Sequence, residues 1–323
     1  MASSKIPVTL VTGYLGSGKT TLVNRLLQQS KSRRLAVIVN EFGAVGIDGA
    51  LLEGSGKAAS VIELPNGCLC CVVNGEFFSS LQNLAASREK FDHIVVETSG
   101  AADPTMILKA FWGEPRITRQ FQLDGVVCVV DSLHFLQTVQ TEPVVALQAA
   151  VADVLCTSKA GQTTSERAKQ ISIELSEINA EALVLEANHD FLDERLMGIE
   201  AYRKPPSFKR SISSDLRTKH GLSSAAFSWE GKVELKALQK FFQTLVFKFD
   251  GKLVRTKALF NIDGEERPWL IQGVQNWIER SKGPRSYQGP NRLVILGHKL
   301  DAQELGEAVE KLKRSAVQGF DSL

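Results

Sequence analysis

Residues 8–21 read VTLVTGYLGSGKTT, an apolar run followed at once by a glycine-rich turn that ends in Gly-Lys-Thr-Thr. The turn, Gly13 to Thr20, fits the pattern G-x-x-x-x-G-K-[ST], and apolar residues at helical spacing follow it from Leu22. A strand, this turn and a helix form the context in which the pattern wraps backbone N–H groups around a phosphate. The sequence therefore predicts a phosphate-binding loop that opens a helix.

The expected nucleotide contacts come from the loop and from the first turn of the helix after it. Lys19 is expected to reach the β- and γ-phosphates and to act in catalysis, and Thr20 is expected to hold Mg²⁺. The other nucleotide-binding residues expected in this segment are Gly13, Gly16, Ser17, Gly18 and Thr21.

Short β-branched runs recur along roughly the first 200 residues and alternate with amphipathic stretches. The clearest are LAVIVN (35–40), HIVVE (93–97) and GVVCVVD (125–131). Continuous apolar strands separated by helices are typical of a parallel sheet covered on both faces. We therefore expect residues 1–202 to form an α/β nucleotide-binding domain with a doubly wound, mostly parallel sheet.

The pattern changes at a basic segment, residues 203–222, which we interpret as a solvated linker. Residues 203–220 contain six Lys or Arg and one acidic residue, and they include the pair Pro205-Pro206. Beyond the linker, residues 223–323 contain strand-like runs, a hairpin signal at Asp263-Gly264 and a closing amphipathic helix over 302–314. This order of elements predicts a smaller C-terminal α+β domain.

Composition excludes several classes of protein. The chain has 323 residues, of which 43% are hydrophobic and 23% charged, and its formal net charge is +2. These values do not fit a disordered chain or a dedicated nucleic-acid binder, and no apolar run reaches the roughly 18 residues of a membrane span. The N-terminus shows no signal-peptide pattern, so a cytoplasmic protein, with a nuclear one possible, is expected.

A second site segment is IVVETSG, residues 94–100, in which Glu97 ends an apolar run. The carboxyl ends of parallel strands meet at the edge of the sheet where ligands bind. Glu97 is therefore expected to be catalytic, either by holding the water shell of Mg²⁺ or by polarising the attacking water. Gly100 is expected to donate its N–H to the γ-phosphate. A surface acid at the end of a strand is the alternative interpretation of Glu97.

Three of the five cysteines stand close together, as Cys68, Cys70 and Cys71. Cysteines this close rarely pair with one another, and thiolates select Zn²⁺ or Cu(I) over Mg²⁺. Three sulfurs favour an open or transient metal site, while a buried turn and a redox switch are the alternatives. Glu41 follows the second strand and is a further candidate near the metal or the phosphate.

Together these motifs resemble the CobW-like GTPases, a family of metal-insertion GTPases and zinc metallochaperones. The resemblance covers most of the chain, including its C-terminal domain. It is carried by TGYLGSGKTT (12–21), VNEFG (39–43), NGCLCC (66–71), VVETSGAADP (95–104), LDGVVCVVD (123–131), LVRTKALF (253–260) and RLVILGHKLD (292–301).

The resemblance implies a GTPase that uses Mg²⁺ as cofactor, cleaves the β–γ phosphoanhydride slowly, and delivers a divalent metal to a client metalloprotein. Zinc is the expected cargo, and the matching positions assign it to Cys68, Cys70 and Cys71, with Glu41 assisting. The family also implies a chain capable of forming a homodimer. From the charge balance and the short apolar runs, neither nucleic acid nor a membrane is expected as partner.

One segment departs from the family, which reads guanine with N/T-K-x-D. The corresponding residues here are Ser158-Lys159-Ala160-Gly161, so the aspartate is missing. Ser158 and Lys159 are still expected at the nucleotide. Because the aspartate is what rejects adenine, we expect a preference for GTP that is relaxed toward ATP.

Two other functions fit the same motifs. One is an NTP-dependent activator of a cofactor-assembly enzyme, such as a cobalamin-pathway chelatase. The other is a nucleotide-binding scaffold without hydrolytic activity, against which the intact Lys19, Thr20 and Glu97 argue.

Overall fold

The structure, a computed structural model, describes residues 5–30, 33–39, 60–63, 76–87, 91–187, 192–202, 204 and 213–317. The chain divides into two compact units, Met1–Glu200 and Ala201–Leu323. None of the helices within the described ranges has both the length and the apolarity to cross a bilayer.

The first unit is built on a seven-stranded sheet in the order β3-β2-β4-β1-β5-β6-β7, with every neighbouring pair parallel. The strands are β1 (Ile6–Thr12), β2 (Leu35–Val39), β3 (Ser60–Glu63), β4 (His93–Glu97), β5 (Phe121–Asp131), β6 (Val154–Ser158) and β7 (Leu183–Glu186). All residues of β2 and β4 are buried, as expected for central strands covered on both faces. The predicted doubly wound α/β fold is confirmed.

Within the described residues, helices lie between most of these strands, as expected for parallel pairing. They are α1 (Lys19–Gln29), α2 (Glu76–Ala86), α3 (Pro104–Gly113), α4 (Pro115–Gln120), α5 (Phe135–Thr141), α6 (Pro143–Val151), α7 (Ser165–Ile178) and α8 (Leu192–Leu196). Helix α1 buries Leu22, Val23 and Leu26 in one apolar cluster with strand residues that include Val95 and Val127. This packing fixes the start of α1 at the carboxyl edge of the sheet.

A buried polar network lies toward the amino ends of the central strands, away from the phosphate loop. The Thr9 hydroxyl lies 2.8 Å from Nε2 of His93 and donates to the carbonyl of Leu196 at 3.2 Å. The carboxylate of Asp124 accepts three backbone hydrogen bonds of 2.9–3.0 Å from residues 198–200. Because these donors would otherwise be orphaned, Asp124 holds the last segment of the unit in place.

The second unit contains a six-stranded antiparallel sheet in the order β13-β12-β11-β14-β9-β8 and a short two-stranded one, β10-β15. Its elements are β8 (Ser213–Lys219), β9 (Leu222–Trp229), β10 (Lys232–Val233), α9 (Leu235–Lys248), β11 (Leu253–Phe260), β12 (Trp269–Val274), β13 (Trp277–Lys282), β14 (Asn291–His298), α10 (Ala302–Arg314) and β15 (Ala316–Val317). Both helices contribute to one apolar core with the sheet, through residues such as Phe241, Leu245, Val309, Phe260 and Ile295. The expected α+β architecture is confirmed.

Two details of this unit differ from the sequence-based expectation. Strand β8 lies inside the segment interpreted as a linker and pairs with β9 through a tight turn in which His220 and Gly221 both have positive φ. The expected strand over 268–277 ends instead at Val274, and a turn at Gln275 (φ 51°) leads into β13. Both missed strands are polar strands at the ends of the sheet order, and such strands lack the apolar alternation by which half-buried strands are recognised.

The buried imidazole makes the stability of the first unit sensitive to acid. Burial, reinforced by Arg33 and opposed by the Asp124 carboxylate, lowers the pKa of His93 to about 4. Because that value lies below the ordinary value near 6.5, the unfolded chain takes up the proton first. Stability is therefore complete above about pH 6.5 and declines as pH falls toward 4, by roughly 3 kcal/mol in total.

We expect His93→Gln, which removes the titrating group, to lose this component of the acid sensitivity. Denaturant unfolding at several pH values measures it as the difference in free energy of unfolding between wild type and variant. That difference should shrink between pH 6.5 and 4, and parallel curves would contradict the assignment.

Candidate functional site

The phosphate loop, residues 13–20, joins β1 to α1 in a backbone conformation that depends on glycine. Gly13, Gly16 and Gly18 all have positive φ, at 139°, 70° and 96°. A Cβ on Gly13 would lie 2.4 Å from the carbonyl oxygen of Val129, so no side chain fits there. Gly18 is the N-cap of α1 and has no side chain to cap it, which leaves the first-turn N–H groups to a ligand. This is the geometry that the motif predicts.

Two side chains of α1 provide the charged and polar groups of the loop. Lys19 is buried, and its Nζ donates to the carbonyl oxygen of Tyr14 across the loop at 3.3 Å. The Thr20 hydroxyl donates to Oε1 of Glu97, the last residue of β4, at 2.7 Å. A hydroxyl and a carboxylate are hard oxygen ligands, which Mg²⁺ prefers, so these two residues fit a magnesium site. Thr21 lies beside them on the exposed face of the first turn.

The segment after β4 packs directly against the phosphate loop. The Thr98 hydroxyl donates to the Thr12 hydroxyl at 3.1 Å, and both residues are fully buried. A Cβ built on Gly100 would meet the backbone N and Cα of Leu15 at 2.6 and 2.7 Å. Only a glycine therefore allows the backbone of residues 98–102, here called the sensor loop, to approach the phosphate loop so closely.

Gln148, which lies outside all of the sequence motifs, supports the sensor loop from α6. Its side-chain amide nitrogen donates to the carbonyl oxygens of Gly100 and Ala102, both at 3.1 Å, and the residue is 1% exposed. Gln148 is the only polar residue of the apolar helix α6 (PVVALQAAV), and that isolation is the signal that marks it.

Ser158 and Lys159, which stand where the family has its guanine-reading motif, contact the phosphate loop. The Ser158 hydroxyl donates to the carbonyl of Ser17 at 2.6 Å, and Nζ of Lys159 donates to the carbonyl of Gly16 at 3.0 Å. Lys159 also pairs with Oδ2 of Asp131 at 2.7 Å. The structure thus places Ser158 and Lys159 against the backbone of the loop, and their expected contact with the nucleotide stays a prediction.

Asp131 is a second site residue that the motifs alone did not assign. Partial burial raises the pKa of its carboxyl, but hydrogen bonds from Lys159 and His134 and the N–H of Leu133 outweigh this and lower the pKa below its usual value. The carboxylate therefore stays ionised and keeps the Lys159 ammonium over the loop.

Gly161, where the family's aspartate is missing, lies in a single 3₁₀ turn, Ala160–Gln162. Among the described residues, no atom lies within 4 Å of a Cβ built on this residue. The position is therefore open to a side chain.

The expected cargo ligands Glu41, Cys68, Cys70 and Cys71 lie outside the described residues. Within those residues, the structure contains no group of three or more His, Cys, Asp or Glu side chains arranged to hold a metal.

Each of the two units matches a known protein family. Residues 7–186 match the family described as CobW/HypB/UreG, nucleotide-binding domain. The chain belongs to this family. Residues 222–313 match the cobalamin synthesis protein cobW C-terminal domain, which accounts for most of the second unit.

Several curated relatives of this family are similar over nearly their whole length. The zinc chaperone YjiA of Escherichia coli is 30% identical, over 96% of this chain and 99% of its own. The zinc chaperone CobW of Pseudomonas aeruginosa is 34% identical, over 92% and 89%. The zinc-regulated GTPase metalloprotein activator 1 of Saccharomyces cerevisiae is 28% identical, over 95% and 83%.

Solved structures of the CobW/HypB/UreG family agree in fold. The crystal structure of Zn(II)-bound YjiA GTPase from E. coli superimposes with a TM-score of 0.73 at 26% identity and covers 96% of this chain. A Zn(II)-bound triple mutant of YjiA gives a TM-score of 0.76 over the same share.

The contact between the sensor loop and the phosphate loop is directly testable. Gly100→Ala places a methyl group against the backbone of Leu15, and relieving such overpacking typically costs about 1–3 kcal/mol. We expect nucleoside triphosphate to bind at least about 5-fold more weakly, as measured by titration with a fluorescent GTP analogue. Gly306→Ala on α10, where no described atom lies within 4 Å of the added methyl group, is the matched control, and equal affinities of the two variants would refute the contact's role.

Proposed function

We propose that this protein is a GTP-hydrolysing zinc metallochaperone. The observation that carries the proposal is the Thr20–Glu97 pair at the mouth of an intact phosphate loop, in a chain whose relatives are named zinc chaperones and a GTPase metalloprotein activator. A nucleotide-binding scaffold without hydrolytic activity is the alternative, and the turnover measurement described below distinguishes the two.

In the proposed mechanism, residues of the phosphate loop and of the segment at the end of β4 act on the nucleotide. Backbone N–H groups of the loop and the start of α1 bind the phosphates, and Lys19 exchanges its contact with the Tyr14 carbonyl for the γ-phosphate. Thr20 and Glu97 would hold Mg²⁺, which neutralises charge on the phosphates in phosphoryl transfer. Glu97 also orients the attacking water, and the N–H of Gly100 contacts the γ-phosphate. Through this contact, the sensor loop responds to whether a triphosphate or a diphosphate is bound.

Hydrolysis should depend on the Lys19 ammonium. We expect Lys19→Ala to lower GTP turnover by about 100-fold or more, because one positioned donor at the developing charge is typically worth that much. Phosphate release measures turnover, and Lys109→Ala on the exposed face of α3 is the control. Turnover at the wild-type rate in Lys19→Ala would rule out this site.

Base selection is proposed to be weak. In the family's motif the aspartate accepts hydrogen bonds from guanine, and Gly161 supplies no such group. The Lys159 ammonium is held by Gly16 and Asp131, so its alkyl stem is left to stack on the base, which does not distinguish purines. GTP is the nominal nucleotide, with ATP accepted.

Gly161→Asp should restore guanine selectivity, since the position has room for the side chain. Parallel titrations should give GTP and ATP affinities within about 10-fold for wild type and a GTP preference above about 10³-fold for the variant. Gly161→Asn, which has the same shape without the charge, is the control. A wild-type preference above about 10³-fold would show that another group already reads guanine.

The cargo is proposed to be Zn²⁺ or another divalent metal, held by Cys68, Cys70 and Cys71 with help from Glu41. Thiolate ligands require a reducing compartment, which supports a cytoplasmic location. The recipient is proposed to be a client metalloprotein, and a second copy of the chain is the proposed partner during transfer. Activation of a cofactor-assembly enzyme stays a narrower version of the same proposal.

The proposed metal site predicts that Zn²⁺ affinity depends on the three cysteines. Replacing Cys68, Cys70 and Cys71 together with serine should weaken Zn²⁺ binding by more than about 100-fold, because the soft ligands themselves are removed. Competition with a zinc-binding dye measures it, with Cys156→Ala in the buried core as control. If the nucleotide controls the cargo, Zn²⁺ affinity should differ about 5–150-fold between the GDP and GTP states. An unchanged titration in the triple variant would contradict the site.

A further inference from the structure

A groove of about 970 Å³ lies in the second unit, between helix α9 and the strands β12 and β13. Its apolar side chains come from both walls and include Phe242, Val246 and Phe247 of α9 and Trp269, Ile271 and Ile278 of the strands. Phe247 is 84% exposed, although an aromatic side chain of this size gains stability from burial. An exposed apolar surface of this extent is typical of an interaction site.

The groove lies over the end of the sheet that α9 and α10 leave uncovered. Both helices pack on one face of the sheet, with α10 in contact with β8 at one end of the strand order and α9 beside α10. Six strands spaced about 4.8 Å apart form a face about 29 Å wide, whereas two helices of about 10 Å diameter cover about 20 Å of it. The strip that remains at β12 and β13 is therefore about as wide as one more helix.

Basic side chains flank the groove on both sides. On α9, Lys236 and Lys240 precede Phe247 by eleven and seven residues, a spacing that places all three along one side of the helix. The helix itself contains no acidic residue. On the opposite rim, the guanidinium of Arg280 lies 4.8 Å from the centre of the Trp269 ring.

The uncompensated charge around the groove is positive. Lys282, on the groove face of β13, pairs with Glu265. Within the described residues, no carboxylate pairs with the two lysines of the α9 rim or with the arginine of the opposite rim. Asp250, just beyond the end of α9, is the one acidic residue among the described residues that line the groove. A partner with carboxylates beside its apolar side chains would be complementary to both rims.

We propose that this groove is a docking site for an acidic amphipathic helix of a partner protein. The apolar side of that helix packs on Phe247, Trp269 and Ile278, and its carboxylates face Lys240 and Arg280. A bilayer is flat and does not enter a concave groove, and a second copy docked through its own α9 would bring lysines against lysines. The docking site lies in the second unit and does not depend on the hydrolysis proposed for the first.

The experiment uses the full chain without nucleotide. The probe is a synthetic peptide of 14 residues, the length of α9, with leucine or phenylalanine at helical spacing and glutamate or alanine elsewhere. The same peptide with lysine in place of glutamate is its control. Fluorescence anisotropy should give binding of the acidic peptide on the order of micromolar, at least about 10-fold tighter than that of the basic peptide. Equal affinities, or binding of neither peptide, would overturn the proposal.

A substitution at the exposed phenylalanine locates the binding. Phe247→Glu removes an apolar contact and adds a like charge, so it should weaken binding of the acidic peptide at least about 10-fold. Because the side chain is so exposed, the fold should tolerate the change. Ile173→Glu makes the same change at an apolar residue of α7 that is 53% exposed, and it should leave binding unchanged. Equal binding by the two variants would place the peptide elsewhere and refute the docking site.

The charge of the rims is tested separately. Lys240→Gln combined with Arg280→Gln should reduce the preference for the acidic peptide to about 3-fold or less. Lys109→Gln combined with Lys311→Gln, at exposed positions of α3 and α10, should leave the preference unchanged. A preference that survives loss of the two rim charges would contradict the proposed complementarity.

Two other occupants of the groove would give different results. Binding to phosphatidylserine vesicles that is lost in Phe247→Glu would indicate a membrane surface. Self-association in sedimentation velocity that is lost in the same variant would indicate a second copy of the chain. Either result would overturn the proposal.

Discussion

The absence of a side chain at Gly13 is the constraint on which the phosphate site depends. Its Cα lies so close to β5 that a Cβ would fall 2.4 Å from the carbonyl oxygen of Val129. Only with glycine here can the loop fold down onto the sheet and turn its N–H groups inward. The positions of Lys19 and Thr20 follow, because α1 begins where the loop ends.

The loop is fixed from three sides by contacts between elements that are distant in sequence. Ser158 and Lys159 hold its backbone carbonyls from β6, Glu97 bonds Thr20 from β4, and the sensor loop presses on its apex through Gly100. Each contact brings a different strand end to the same few residues. A change in the phosphates bound by the loop therefore reaches several elements at once, which is what a nucleotide-controlled carrier needs.

The sequence predicted the fold and the phosphate loop because both are encoded by local patterns. Continuous apolar runs mark central strands such as β2 and β4, and the glycine spacing marks the loop. The strands β8 and β13 escaped because polar residues form them and their identity comes from pairing with a neighbour. The roles of Gln148 and Lys159 escaped for a related reason: Lys159 and Gly16 are 143 residues apart, and no local pattern reports such a contact.

Strand β5 carries a buried carboxylate, Asp124, near its start and a half-buried one, Asp131, at its end, and this arrangement joins two distant parts of the first unit. Asp131 secures Lys159 over the phosphate loop, while Asp124 secures residues 198–200, where the chain leaves the unit. Seven residues of extended chain separate the two, roughly 23 Å. A stiff strand in the middle of a packed sheet bends little, so a shift of its carboxyl end is conveyed along its axis. Strand β5 therefore links the support of the phosphate loop to the support of residues 198–200 through one continuous element.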